Sequence, residues 1–390
     1  MKDSVVKRIL ALAFVIMLFV GFASNGGYGY VSGMIDFLKN PEELSIDNLE
    51  EEFTASMRSQ KNFINLNGRI ARTLNMQGYY SDMGMYVTKD KIVVSASDYT
   101  TTDYEYEQMV SFRDFLSEND INLLYVNAPT KYTDDYSFEK DFGIETYSNR
   151  NMDLFLERIG EAGINYIDLR DDMAGENMTC SDIFFKTDHH WTIETGLWAT
   201  SKVAAGLNEF CGYNIDLSIY NPGNYVETKW QKCWLGEQGR KLAETYVGLD
   251  DFTKLTPSFD TKYTFKSGDY RYEGTFDNFV NDSLYDVSKD VYEADSWYYS
   301  YQIIDSVNEN ADYGKILVLG DSYSHAVQPF LSLGVKELDF VCLRDYDSDK
   351  SVRELIRQNG YDTVVILYAQ FMLGARDNPE SSNYLMYDFR

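Results

Sequence analysis

A chain of 390 residues with 44% hydrophobic side chains holds enough apolar material for one large packed domain or two smaller ones, which excludes intrinsic disorder. Its 62 acidic against 35 basic residues give a formal net charge of -27. Such a surface repels phosphate backbones, so nucleic acid is excluded from the expected partners.

The chain opens on MKDSVVKRIL, where Lys2, Lys7 and Arg8 precede an apolar run from Ile9 to Ala23. That run is intermediate between a signal-peptide core and a membrane span. Gly21 and Ala23 supply a small-x-small cleavage pattern, while Val5 and Val6 lengthen the apolar segment for use as an anchor. Residues 1–23 therefore read as signal peptide or membrane anchor, with the remainder exported. Residues 24–40, with SNGGYGYVSG, read as a flexible linker. Residues 41–103 read as an N-terminal extension. Its segment SIDNLEEEFTASMRSQKNFINLNGRIARTL has helical spacing, and MGMYVTKDKIVVSAS suggests short strands around a turn, with Val87 and Ile92 to Val94 apolar.

From residue 104 the pattern alternates. YEYEQMVSFRDFLSEN is helical, INLLYVNAP a buried strand, RNMDLFLERIGEAG a helix and INYIDLR a strand. TIETGLWATSKVAAGLNEF is a helix with Thr192 as its N-cap. Strand and helix in this rhythm predict a parallel sheet with crossover helices. Residues 218–300 interrupt the rhythm with Tyr, Asp and Gly and read as an insertion of loops and short strands. The rhythm returns in GKILVLGDS, LDFVCLRDY, SVRELIRQNG and YDTVVILYAQ, so the domain spanning 104–390 is assembled from both sides of the insertion.

The four cysteines, Cys180, Cys211, Cys233 and Cys342, have no C-x-x-C spacing, which argues against a cysteine zinc site and leaves disulfides or buried thiols open. The 32 tyrosines suit half-exposed strands as well as sugar stacking.

Two stretches carry chemistry. In KILVLGDSYSHA an apolar strand, Ile316 to Leu319, ends at Gly320, and Ser322 follows at the carboxyl edge, where open α/β sheets place ligands. Backbone N–H groups at such a turn can hold an oxyanion. A serine needs a base to become a nucleophile, and histidine held by aspartate is the usual one. KTDHHWT offers both: Asp188 and His190 are one residue apart and share a face in extended chain, while His189 points away. A metal on Asp188, His189 and His190 is the weaker reading, because adjacent ligands wrap an ion poorly and no further histidine cluster exists. His325 is a rival base, three residues after Ser322 and without an evident aspartate.

TDHHWT resembles the signature of the DHHW family, which is related to the alginate O-acetylation proteins of the SGNH-hydrolase superfamily. FTASMRSQKNFINLNGRIARTL, VNAPTKYTDDY and LGDSYSHAVQPFL are similar to further blocks of that family, so the resemblance covers most of the exported chain. It implies an α/β, three-layer parallel-sheet SGNH-hydrolase-like fold, with Asp and His preceding Ser in a permuted order, plus the aromatic-rich insertion. It implies Ser322 as nucleophile, His190 as base and Asp188 as its orienting acid. Asn127, Arg344 and Gln370 are candidates for the oxyanion hole or substrate, and Trp230 and Trp234 for sugar stacking. The implied activity is O-acetyl transfer to hydroxyls of a cell-surface polysaccharide, without cofactor or metal, fed by a membrane-bound O-acyltransferase. Hydrolysis by the same residues, as a carbohydrate esterase, and a non-catalytic polysaccharide-binding or assembly role are the alternatives.

Overall fold

A computed structural model describes residues 60–76, 84–132, 134–288, 297, 301–302, 304–348, 350–378 and 381–390. The expected leader and linker, 1–23 and 24–40, lie outside the described residues, as do the residues preceding 60 in the N-terminal extension. Among the described residues no helix is long and apolar enough to cross a membrane. Contacts divide the chain after Leu74. In the first unit, helix α1 spans Gln60–Thr73.

The second unit is built on an eight-stranded sheet. Its strands are β3 (Asn122–Ala128), β4 (Asn165–Asp168), β7 (Tyr263–Ser267), β8 (Tyr270–Gly274), β9 (Asp305–Asn308), β10 (Lys315–Gly320), β11 (Glu337–Val341) and β12 (Thr363–Ala369). They lie in the order β4-β3-β12-β10-β11-β9-β7-β8. The first five pair in parallel, with Val318 opposite both Phe340 and Val365. β9, β7 and β8 extend the sheet antiparallel, so it is mostly parallel. The insertion therefore contributes two strands to the main sheet as well as a separate ribbon of β5 (Tyr225–Trp234) and β6 (Asp250–Pro257). The sequence pattern misses this because antiparallel edge strands such as β8 are half exposed and carry no long apolar run.

Alternation along the parallel strands creates the three layers. Val126, Val318, Val365 and Leu367 face one way, against Ile193, Leu197 and Val203 of α6 (Ile193–Phe210) and Leu169 and Met173 of α5 (Leu169–Gly175). Tyr125, Leu317, Val364 and Ile366 face the other way. There they meet Phe112 and Phe115 of α2 (Asp103–Ser117), Phe155 and Ile159 of α4 (Ser148–Glu161), and Ile356 of the C-terminal helix Val352–Asn359. All seven residues of β12 are buried, as expected for a central parallel strand, and each large aliphatic there contributes about 1.5–3 kcal/mol by leaving water. The hairpin of β1 (Met85–Val87) and β2 (Val93–Ser95) clusters with this unit and reaches the sheet's carboxyl edge through Val93 N, which donates to Lys186 O at 2.9 Å. All four cysteines are free thiols.

Candidate active site

Two segments distant in the chain meet at the carboxyl edge of the sheet. β10 ends at Gly320, and Ser322 opens a tight turn, Ser322–Ala326. Asp321 shapes it. Its Oδ1 accepts from Tyr323 N at 2.9 Å, and its Oδ2 accepts from Ala369 N, at the end of β12, at 2.6 Å. Both carboxylate oxygens are thus spent on backbone. Burial, partly offset by those amides, pushes the Asp321 pKa up to about 6.

The second segment lies between a bridge joining Phe184 to Trp191 and the start of α6, where the Thr192 hydroxyl accepts from Thr195 N at 3.2 Å. His190 N donates to Asp188 Oδ1 at 3.0 Å, folding the loop back on itself. The same oxygen lies 2.6 Å from His190 Nδ1, and His190 Nε2 lies 2.6 Å from Ser322 Oγ, 132 positions along the chain. Carboxylate, imidazole and hydroxyl form one continuous line. Burial disfavours the Asp188 charge, but the charge and hydrogen bonds of His190 outweigh it and hold the carboxyl far below the usual carboxylate range. In the neutral ring an ionised carboxylate on Nδ1 favours the proton there, so that Nε2 is the atom placed to accept from Oγ.

Reciprocal contacts lock the two segments together. Trp191 Nε1 donates to Tyr323 O at 3.1 Å, and the Tyr323 hydroxyl donates to His189 O. The Thr200 hydroxyl of α6 reaches Val327 O at 3.2 Å. Gly196 lets α6 approach this turn, because a Cβ there would lie 2.2 Å from Ala326 O.

The insertion plays a part that sequence reasoning missed. Asp188 Oδ2 accepts from Glu237 N at 2.8 Å, at the first turn of α7 (Glu237–Leu242). Gly236 makes room for that approach, since a Cβ there would sit 2.3 Å from Asp188 Cβ. Asp250, in β6, accepts from Lys186 N at 3.0 Å, Thr187 N at 2.9 Å and the Thr187 hydroxyl at 2.6 Å. From the other side, the buried Lys131 ammonium donates to Val93 O at 2.8 Å, Lys186 O at 3.1 Å and Gln238 Oε1 at 3.2 Å. Burial lowers its pKa to about 8, against the pull of Asp188 and Asp250. Lys131 stands in the quoted VNAPTKYTDDY block, and the G-x-x-G of GEQG marks a close approach; these were the available signals.

Five other candidates have other partners. Asn127 Nδ2 donates to Asp168 Oδ1 at 2.9 Å, and Gln370 Nε2 donates to Ser148 Oγ at 3.0 Å and Asn149 Oδ1 at 3.1 Å. Arg344 donates to Asn383 Oδ1 at 2.7 Å. Trp230 stacks on Tyr285 with centroids 4.9 Å apart, and Trp234 is wholly buried, 4.1 Å from the Phe185 ring. Sugar stacking by Trp234 is therefore corrected: the ring packs the insertion onto the domain. Asp188, His189 and His190 do bring ligand atoms within 4.8 Å of one another. An ion there would have to displace a hydrogen bond of Asp188 and that of one His190 ring nitrogen.

A cleft of about 310 Å³ reaches the neighbours of the line, His189 and Tyr323, and is lined also by Val93, Tyr132, Glu237 and Phe371 among others; Ser322 and His190 do not line it. None of Asn127, Arg344, Gln370, Trp230 and Trp234 lines it.

A family model described as SGNH hydrolase-like domain, acetyltransferase AlgX, matches residues 85–228. The structure of Bacillus cereus PatB1 is similar, with a TM-score of 0.61 at 22% identity over 78% of this chain and 99% of that one. A DHHW family protein from Eubacterium siraeum is similar with a TM-score of 0.56 at 17% identity, over 77% of this chain and 94% of that one. No curated protein matches the sequence.

Proposed function

Starting from a chain with an SGNH hydrolase-like domain, related in sequence to the AlgX acetyltransferase model, we propose that it is an exported O-acetyltransferase acting on hydroxyls of a cell-surface polysaccharide. The observation that carries this reading is the 2.6 Å contact of His190 Nε2 with Ser322 Oγ, with Asp188 on the other ring nitrogen. Ser322 Oγ attacks the carbonyl carbon of an acetyl ester while its proton passes to His190 Nε2. The tetrahedral intermediate collapses, His190 protonates the departing oxygen, and acetyl remains on Ser322. A sugar hydroxyl then gives its proton to His190, attacks the acyl carbon and displaces Ser322 Oγ, which recovers the proton. Tyr323 N and Ser324 N already donate to Asp321, so within the turn oxyanion stabilisation would fall to the Ser322 main-chain N–H. Asp188 holds the tautomer and stabilises the imidazolium.

Export rests on the basic and apolar start of the chain, and an acetyl donor delivered by a membrane-bound O-acyltransferase is the corresponding partner. The test is release of chromophore from 4-nitrophenyl acetate by the full chain, beside Ser322→Ala and His190→Ala. The PatB1 structure is described with a sulfonyl adduct, so a sulfonyl fluoride is a second probe. We expect serine-dependent release and a sulfonyl label on Ser322. Equal release by wild type and Ser322→Ala would remove the enzyme reading. Acetyl found on added oligosaccharide separates transfer from hydrolysis.

A further inference from the structure

His189 takes no part in the line from Asp188 to Ser322, yet its ring packs directly on that of His190. It lies against His190 with centroids 3.8 Å apart and meets the Phe371 ring edge-on at 5.7 Å. It lines the 310 Å³ cleft together with Tyr323, the residue after Ser322, and 29% of its side chain is open to solvent. Its Nδ1 is 3.5 Å from Asp188 Oδ1 and 3.8 Å from Glu237 Oε2.

Neither contact is a hydrogen bond, but together they favour one tautomer of the ring. A nitrogen facing two carboxylates carries the proton, so Nε2 is left with its lone pair. The ring is also neutral at ordinary pH: burial and the neighbouring His190 lower its pKa to about 4, against Asp188 and Glu237. A neutral imidazole in this tautomer accepts one hydrogen bond at Nε2. The carbonyl of an acetyl donor has only lone pairs there and gains nothing from it. A sugar hydroxyl has the O–H that fits. The half-buried rings of Tyr132 and Phe371 offer flat apolar faces suited to a pyranose ring.

We infer that His189 is the acceptor-positioning residue of this site, receiving a hydrogen bond from a hydroxyl of the acceptor sugar and so directing the acyl group to glycan rather than to water. This rests on the reading of Ser322 as the acylated residue. It gives the first histidine of the D-H-H-W block a role separate from that of the second, and one that acts on the second half-reaction only.

The partition of the acyl group tests it. The full chain is acylated with 4-nitrophenyl acetate, alone and with cellopentaose, xylopentaose or N-acetylchitopentaose, and acetylated sugar and free acetate are quantified. For His189→Ala we expect nitrophenol release without sugar to stay within about threefold of wild type, while the ratio of transfer to hydrolysis falls about tenfold, the worth of one hydrogen bond. His189→Gln keeps an acceptor atom and should recover part of the ratio. Release and transfer falling together would mean that the ring only steadies His190, and an unchanged ratio would mean that it does not touch the acceptor. Either result overturns the inference, as does a wild type that acetylates none of the sugars. No release at all by the wild type strikes at the Ser322 reading itself, and the inference falls with it.

Discussion

Asp188 receives hydrogen bonds on both carboxylate oxygens, from its own loop and from α7, and each has a separable consequence. Asp188→Asn replaces an acceptor-only group with an amide and frees His190 to take the wrong tautomer. Nitrophenol release should fall by on the order of 10³–10⁴, with the fold retained by circular dichroism. Gly236→Ala places a Cβ against Asp188 Cβ, so the loop must shift. We expect a loss of about 1–3 kcal/mol in urea unfolding together with a lower kcat, because overpacking displaces the carboxylate that holds His190. The two buried aspartates have opposite pH signatures. Asp188, with its folded pKa depressed, contributes stability above about pH 3.9 that is lost as pH falls below that value. Asp321, raised to about 6, contributes stability that is complete below about pH 3.9 and is lost as pH rises through 6. The difference in unfolding free energy between wild type and Asp321→Asn should therefore change between about pH 3 and 7 by about 3 kcal/mol, and a flat difference would refute the assignment.

At the scale of elements, the loop 186–190 is suspended between β6, α7 and β2. Asp250→Ala would leave Lys186 N, Thr187 N and the Thr187 hydroxyl without their acceptor. The expected outcome is a loss of about 2–4 kcal/mol in stability and faster amide hydrogen exchange at 186 and 187, with ester release reduced through the displaced His190. This support is also where the sequence is least legible. Ser322 and the Asp188–His190 pair announce themselves: one ends an apolar strand at a Gly turn, the other places titratable groups at helix N-cap spacing. β12 and α6 are legible for the same reason, since burial on one or both faces imposes a period. The acceptors that hold the loop are met by main-chain N–H groups of Glu237, Lys186 and Thr187, and every residue type carries such a group. Asp250 and Gly236 are single residues in a segment without period, so only the fold reveals that the insertion buttresses the site. Trp234 misleads for the converse reason. An aromatic in a polar-looking segment suggests an exposed platform, whereas Trp234 joins the main core, packed against Phe185 and Phe252.

For the whole molecule, the dominant quantity is the formal charge of -27. It opposes the approach of a polyanion, so among candidate acceptors a polyuronate should show a KM that falls as salt rises, whereas a neutral glycan should be indifferent to salt. Initial rates of acetyl transfer to both at about 10 mM and 500 mM NaCl would read this directly, and equal salt response would contradict it. The broader claim is that two segments 132 positions apart form one catalytic line, buttressed by an insertion that does not supply any of its three members. The most direct test is mass spectrometry of the full chain quenched within seconds of mixing with 4-nitrophenyl acetate. We expect one acetyl group, on the peptide carrying Ser322, present in wild type and absent from Ser322→Ala. An acetyl group on another residue, or none while ester release proceeds, would contradict the account.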